Sequence, residues 1–176
     1  MPHYDFPAHF RKVYQRALAA YAAGCRQPDA LLDTADQKFA SEIGSRTQDF
    51  FDYAEDAAKY GEPDFETTLL VQSLRRDYFL LVQKGTPSST CLDPQKMPAK
   101  TDAVRGIEWL PRLMPKTLAK LRGELPEDLM YGCAGDRRFF RRHDIHPAEF
   151  LRAAWHFQDA PAAWVDWVAA RSPERP

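Results

Sequence analysis

The stretch PDFETTLLVQSLRRDYFLLVQKG carries the longest uninterrupted helical signal of the chain, over residues 64–84, closed by Gly85. At about 100° per residue, one face gathers Leu70, Val71, Leu74, Tyr78, Leu81 and Val82. A second apolar strip carries Phe65, Leu69 and Leu80, with Phe79 at its edge. A rod apolar on two sides is central to its own fold or shared with a partner subunit, so something is expected to pack on each flank. Asp77 falls between Leu70, Leu80 and Leu81, which predicts a carboxylate at the core boundary, where an arginine such as Arg137 can meet it unless Arg137 pairs with Asp136 instead.

The other periodic segments are helical as well, and none alternates as a strand does. Residues 8–23 place Phe10, Val13, Tyr14, Ala17, Leu18 and Tyr21 on one stripe, stopped by Gly24. Thr34 with Gln37, and Ser45 with Gln48, read as capping boxes opening helices that end at Gly44 and Gly61. The second of these is expected to bury Phe50, Phe51, Ala54, Ala57 and Ala58 and to expose Asp49, Asp52, Asp56 and Lys59. Further on, Pro111 and Pro115 predict a short turn and then a helix over 112–122. Short helices follow near 136–143, over 147–157 and over 160–171, the last capped by Asp159 with Trp164, Trp167 and Val168 inward. The segments KFASEIGSRTQDFF and RRFFRRHDIHPAEFL echo one another, as an old duplication or as convergent helical hairpins.

These signals define an all-α fold, a compact multi-helix bundle of short helices in two halves joined by a Pro-rich linker. The halves are residues 1–85 and 105–172, with a linker or strap over 86–104 and a tail over 173–176. Charges nearly cancel, to a formal −1, which argues against a protein whose main business is coating nucleic acid or anionic membrane. They are nevertheless segregated. Residues 49–66 hold seven acids against Lys59 alone, whereas 105–142 hold nine Lys or Arg against five acids, a pattern suited to complementary docking. No apolar run approaches the roughly 20 residues needed to cross a bilayer. The N-terminus lacks the order of a signal peptide, and Cys25, Cys91 and Cys133 form no CxxC pair, so a cytoplasmic location with reduced thiols is expected.

The stretches WLPRLMPKTLAKLRGELP, YGCAGDRRFF and DIHPAEFLRAAW resemble the bacterial family of uncharacterised proteins known as DUF5069. Its pattern runs roughly Leu-Pro-Arg, a helix, Tyr-x-Cys or Ser, then Asp and Phe, then an Ile–turn–Phe-Leu helix start. The resemblance spans about residues 105–170 and implies a small, helical, cytosolic bacterial protein, with no activity to carry over. Two departures stand out. Ala134 and Gly135 follow Cys133 where the family often has Pro-Leu, which predicts a more mobile loop. His146 precedes Pro147 where the family tends to have Asp, and imidazole is the poorer N-cap, so either Asp144 caps instead or His146 serves another purpose.

Several residues carry possible chemistry. Cys133 sits in a Gly-flanked loop ahead of an arginine run, a setting that favours thiolate, with His143 or His146 as a possible base. Most free cysteines, however, are small buried apolar side chains, and the resembling family tolerates Ser here. In a helix Arg138 and Arg142 lie one turn apart, as do Arg137 and Arg141, a spacing that can clamp a phosphate or carboxylate or simply form salt bridges. His143, Asp144 and His146 would suit a metal only if the helix continued through Ile145, and Pro147 argues that it does not. The acids of 49–66 read as solvated surface. Trp155, Trp164 and Trp167 read as core, or as the lining of a pocket roofed by Arg137 or Arg141.

Two functions compete on this reading. The first is a non-enzymatic protein acting by self-association or by association with a protein partner. The second is an enzyme or sensor for a small anionic ligand, with a pocket around Tyr131, Cys133, Asp136, Arg137 and Trp155. Its catalytic candidates are Cys133, Asp136 and His143, and its ligand contacts Tyr131, Arg137, Arg141, Trp155 and Asp77. No metal, cofactor, nucleic acid or membrane is expected to take part.

Overall fold

The computed structural model describes residues 4–172; the tail over 173–176 lies outside the described residues. The fold is all-α apart from one two-stranded hairpin. Two compact units divide it, one ending at Pro87 and the other beginning at Ser88.

The N-terminal unit holds α1 (Phe6–Ala22), α2 (Pro28–Leu31), α3 (Thr34–Glu42), α4 (Thr47–Tyr60) and α5 (Phe65–Leu81). Phe10, Val13, Tyr14, Ala17 and Tyr21 of α1 meet Phe50, Tyr53 and Ala54 of α4 in one core with Phe39 and Ile43. The helix starts shift by one residue from their predicted caps. Asp33, not Thr34, accepts from the N–H of Asp36. Arg46 rather than Ser45 opens α4, its N–H donating to Asp49. That bond turns Asp49 inward, so Asp49 is buried where a solvated position was predicted; Asp56 is buried too, while Ala58 is exposed.

The larger correction concerns α5. Phe65 and Leu69 pack against the core as expected, but Leu70 is 47 % and Leu81 63 % exposed, and Val82 is exposed as well. The inward arc carries polar groups instead, with Thr68, Gln72 and Arg75 buried beside Val71, Leu74, Tyr78 and Phe79. Arg75 can enter because its head finds local partners, whereas no hydrogen-bond partner among the described residues meets the Gln72 amide. Arg75 donates to Gln83 Oε1 at 2.7 Å, and its guanidinium lies over the Phe79 ring. Gly44 makes room for both: a Cβ there would stand 2.6 Å from Phe79 Cγ, at a backbone φ of +70° that also favours glycine. Asp77 shares the exposed stripe with Leu70 and Leu81, is about half exposed, and pairs with Arg76 at 3.2 Å. The carboxylate predicted at the core boundary is thus met by its chain neighbour Arg76.

The C-terminal unit begins with the strap, which has more structure than its prolines suggest. A 3-10 turn (Pro94–Lys96) and a hairpin of β1 (Ala103–Val104) and β2 (Ile107–Glu108) precede α6 (Leu110–Arg122), α7 (Ala134–Arg142), α8 (Pro147–His156) and α9 (Pro161–Ala169). Leu92 N–H donates to the Glu124 carbonyl at 2.8 Å and Arg112 to the Pro98 carbonyl at 2.8 Å, tying the strap to α6. Helix α6 starts two residues earlier than predicted and runs through Pro115. Pro111 stands in the first turn, where its missing N–H has no partner to lose, and Pro115 forfeits one bond near that end. The core gathers Leu110, Leu113, Leu121, Phe140, Ile145, Phe150, Leu151 and Trp164, with the Phe150 and Trp164 rings 5.0 Å apart. Ala160, not Asp159, stands at the start of α9.

The internal echo has a geometric basis. Gly44 after α3 and Asp144 after α7 both adopt left-handed backbone, at φ +70° and +50°. The next residue then closes the helix end, Ser45 N–H to the Ala40 carbonyl at 2.9 Å and Ile145 N–H to the Phe140 carbonyl at 3.0 Å. Both hairpins use the same helix-stop motif, which gives the likeness a local structural counterpart.

Candidate functional site

The site is built where the hairpin meets α7. Two strands of two residues are joined by Arg105 and Gly106, both at positive φ (+51° and +76°), a two-residue turn whose twist suits a hairpin. Trp109 then turns the chain into α6 at φ +70°, a conformation costly for a bulky residue and held only where the surroundings fix it. Its N–H donates to the Asp102 carbonyl at 3.2 Å and its indole Nε1–H to Asp136 Oδ1 at 3.0 Å. The benzo edge of the ring lies on Gly135 of α7, where a Cβ would stand 2.4 Å from Trp109 Cζ2. Glycine at 135 is therefore required by close approach.

Beneath Trp109 lies a buried ionic network. Asp136 is fully enclosed; its Oδ2 is 2.6 Å from Lys116 Nζ and accepts from the Gly132 N–H at 2.8 Å. Lys116, equally buried on α6, also lies 3.3 Å from Cys133 Sγ. Three donors saturate the Asp136 carboxylate, which is how a charge survives in the interior. Arg137, also buried, donates to the Gly132 carbonyl at 2.8 Å, and the Tyr131 hydroxyl donates to the Pro147 carbonyl at 2.7 Å. Tyr131, Cys133, Asp136 and Arg137 thus meet as the framework of the 131–137 turn, and none of them lines the neighbouring cavity. The predicted mobility of Ala134 and Gly135 also gives way, since both belong to α7.

Next to this framework a cavity of about 540 Å³ opens between the hairpin and the outer face of α7. Its lining on α7 is Gly135, Arg138, Phe139 and Arg142, one stripe at i, i+3, i+4 and i+7. Lys100, Arg105, Ile107, Glu108 and Trp109 face it from the strap and hairpin, and His143 and Ser172 close one end, Ser172 Oγ lying 2.9 Å from His143 Nδ1. Four cationic side chains stand against Glu108. Arg105 pairs with Asp166, whereas among the described residues no hydrogen bond or ion pair engages Arg138 or Lys100.

The remaining candidates lie elsewhere. Arg141 is exposed and is not among the cavity-lining residues. Trp155 lines a shallow cleft on α8 with Arg152, His156 and Gln158, and Trp164 is core. Asp77 belongs to the N-terminal unit. His143 is buried against Phe139, with ring centroids 4.3 Å apart. His146 itself caps α8, its Nδ1 accepting from the Ala148 N–H at 3.1 Å, which answers the question its position raised. Among the described residues no group of three or more His, Cys, Asp or Glu is placed to hold a metal ion, and no helix is long and apolar enough to cross a membrane.

Sequence reasoning singled out the Arg138–Arg142 pair as one of two possible clamps but missed Lys116 and Trp109. Lys116 carried a usable signal: it stands three residues after Leu113, on the inward side of an amphipathic helix, where an unpaired ammonium is not tolerated. Trp109 carried none, since its place depends on a left-handed turn. No family model, curated protein or solved structure matches the chain, so the likeness of residues 105–170 to DUF5069 rests on the motifs alone.

Proposed function

We propose that the C-terminal unit binds a small anionic ligand in the cavity between the hairpin and α7. One observation carries this reading: Arg138 and Arg142, one turn apart, both border a cavity of about 540 Å³, a volume typical of small-molecule sites. The Arg138 guanidinium, which no hydrogen bond or ion pair engages among the described residues, offers forked donors to phosphate or carboxylate, with Arg142 one turn away on the same cavity. The rigid framework under Trp109 supports the reading, because a ligand site needs a floor that does not move. Calorimetric titration with inorganic phosphate and pyrophosphate tests it. Binding that weakens with salt and is lost in Arg138→Ala and Arg142→Ala is expected; binding unchanged in both variants refutes it.

A second reading, self-association, is favoured by the exposed Leu70 in the first half of α5 and the exposed Leu81 and Val82 at its end. A paired apolar stripe is the usual reason for leaving such side chains outside. Light scattering at low and high salt should then show a species larger than the monomer, reduced to monomer by Leu81→Glu. A monomer throughout the accessible concentration range removes the reading.

A further inference from the structure

Resting on the anion-binding reading, we infer that the ligand is a phosphomonoester of a planar aromatic compound, of nucleoside-monophosphate size, with its ring at the Trp109 end and its phosphate at the Arg142 end. The cavity lining combines apolar side chains, Ile107, Trp109 and Phe139, with the cationic Arg138 and Arg142. Gly135, at the N-terminal end of the α7 stripe, has no side chain and lies under the Trp109 indole, with Ile107 beside it on the hairpin. Arg138 and Arg142 follow along the same stripe, toward the end closed by His143 and Ser172. Seven residues of helix separate Gly135 from Arg142, about 10 Å at 1.5 Å per residue, close to the length of a nucleoside monophosphate. A bare inorganic anion would leave the Trp109 end empty, and a purely apolar compound would leave Arg138 without a counter-charge.

The Trp109 conformation supports the assignment. A tryptophan held at φ +70° by Asp136, Asp102 and Gly135 is pre-set before any ligand arrives, and a pre-set aromatic wall loses little entropy on stacking. Base-on-indole stacking is sequence-tolerant, so the wall selects for a flat ring rather than for one base. The near-neutral chain favours a free ligand over the end of a nucleic acid, which a more basic surface would hold.

Calorimetry on the full chain with AMP, adenosine, ribose 5-phosphate and inorganic phosphate distinguishes the possibilities. AMP should bind about tenfold or more tighter than ribose 5-phosphate, and Arg138→Ala should weaken both. Trp109→Leu should equalise the two, while Trp109→Phe, which keeps a ring, should retain part of the preference. The comparison of AMP with ribose 5-phosphate on the unaltered protein stands even where a Trp109 variant does not fold. Equal affinities with both lost in Arg138→Ala would overturn the aromatic assignment and leave anion binding intact. No binding of any phosphate would overturn both. A 5′-phosphorylated trinucleotide binding more tightly than AMP would overturn the assignment to a free small molecule.

Discussion

Lys116 and Asp136 face each other across 2.6 Å in the interior of the C-terminal unit, neither side chain more than 2 % exposed. An ion pair this deep contributes little net stability when intact, but removing one partner strands the other charge, at about 3–5 kcal/mol. Lys116→Met should therefore lower the free energy of unfolding by about that amount in urea titrations. Adding Asp136→Asn should recover a large part of the loss, because the amide removes the stranded charge and still accepts from Trp109 or Gly132. A double variant as unstable as Lys116→Met alone would mean that the pair is not what holds the turn.

Neighbouring arginines should behave oppositely. Arg137 is buried on the Gly132 carbonyl, so Arg137→Ala leaves that acceptor unsatisfied, at about 1–3 kcal/mol. Arg138 is exposed and without a partner among the described residues, so Arg138→Ala should stay within about 0.5 kcal/mol of the parent. Phosphate binding should reverse the order, being lost in Arg138→Ala and kept in whatever fraction of Arg137→Ala remains folded. Thermal melts with and without phosphate read both effects in one experiment.

Gly135→Ala tests the contact that sets the cavity wall. The added methyl would overlap the Trp109 ring, and such overpacking typically costs about 1–3 kcal/mol. The indole must move away from α7, which breaks or lengthens its bond to Asp136. Urea unfolding should show the loss, and AMP affinity should fall further than that of ribose 5-phosphate. An unchanged midpoint would show that α7 and Trp109 separate easily.

The helices were legible because their periods and glycine stops are local. Gly24, Gly44, Gly61 and Gly123 each stand just beyond a helix, where the sequence alone puts a stop, whereas α5 ends at Leu81, short of the stop expected at Gly85. What escaped was non-local. The faces of α5 escape a local reading because hydropathy ranks Leu70 and Leu81 above Arg75 and Gln72, while the burial of Arg75 depends on a partner, Gln83, eight residues further on. The helix caps slipped by one residue because Asp33 and Thr34 are both good caps and only the backbone entering the helix chooses between them. In the site, the Arg138–Arg142 spacing was readable. Trp109 and Lys116 lie 29 and 22 residues from Arg138 and meet its helix only through the fold, so even Lys116, whose inward place on α6 is legible, gives no local sign of its partner.

The N-terminal unit offers a test at alkaline pH. The Tyr14 hydroxyl is buried between α1 and α5, and burial, with the Asp64 and Glu66 carboxylates adding to it, raises its pKa above the ordinary 10.0 despite an opposing hydrogen bond to Thr68. Ionisation is thus harder in the folded chain than in the unfolded one. The linked stability is fully present below pH 10, and is lost progressively as pH rises through the folded value, because the unfolded state releases the proton first. Tyr14→Phe removes this group. Its decline in stability from about pH 9 toward about pH 11 should be shallower than that of the parent. Urea midpoints at the two pH values decide the matter: parallel declines in parent and variant would show that Tyr14 ionises as readily inside the fold as outside it.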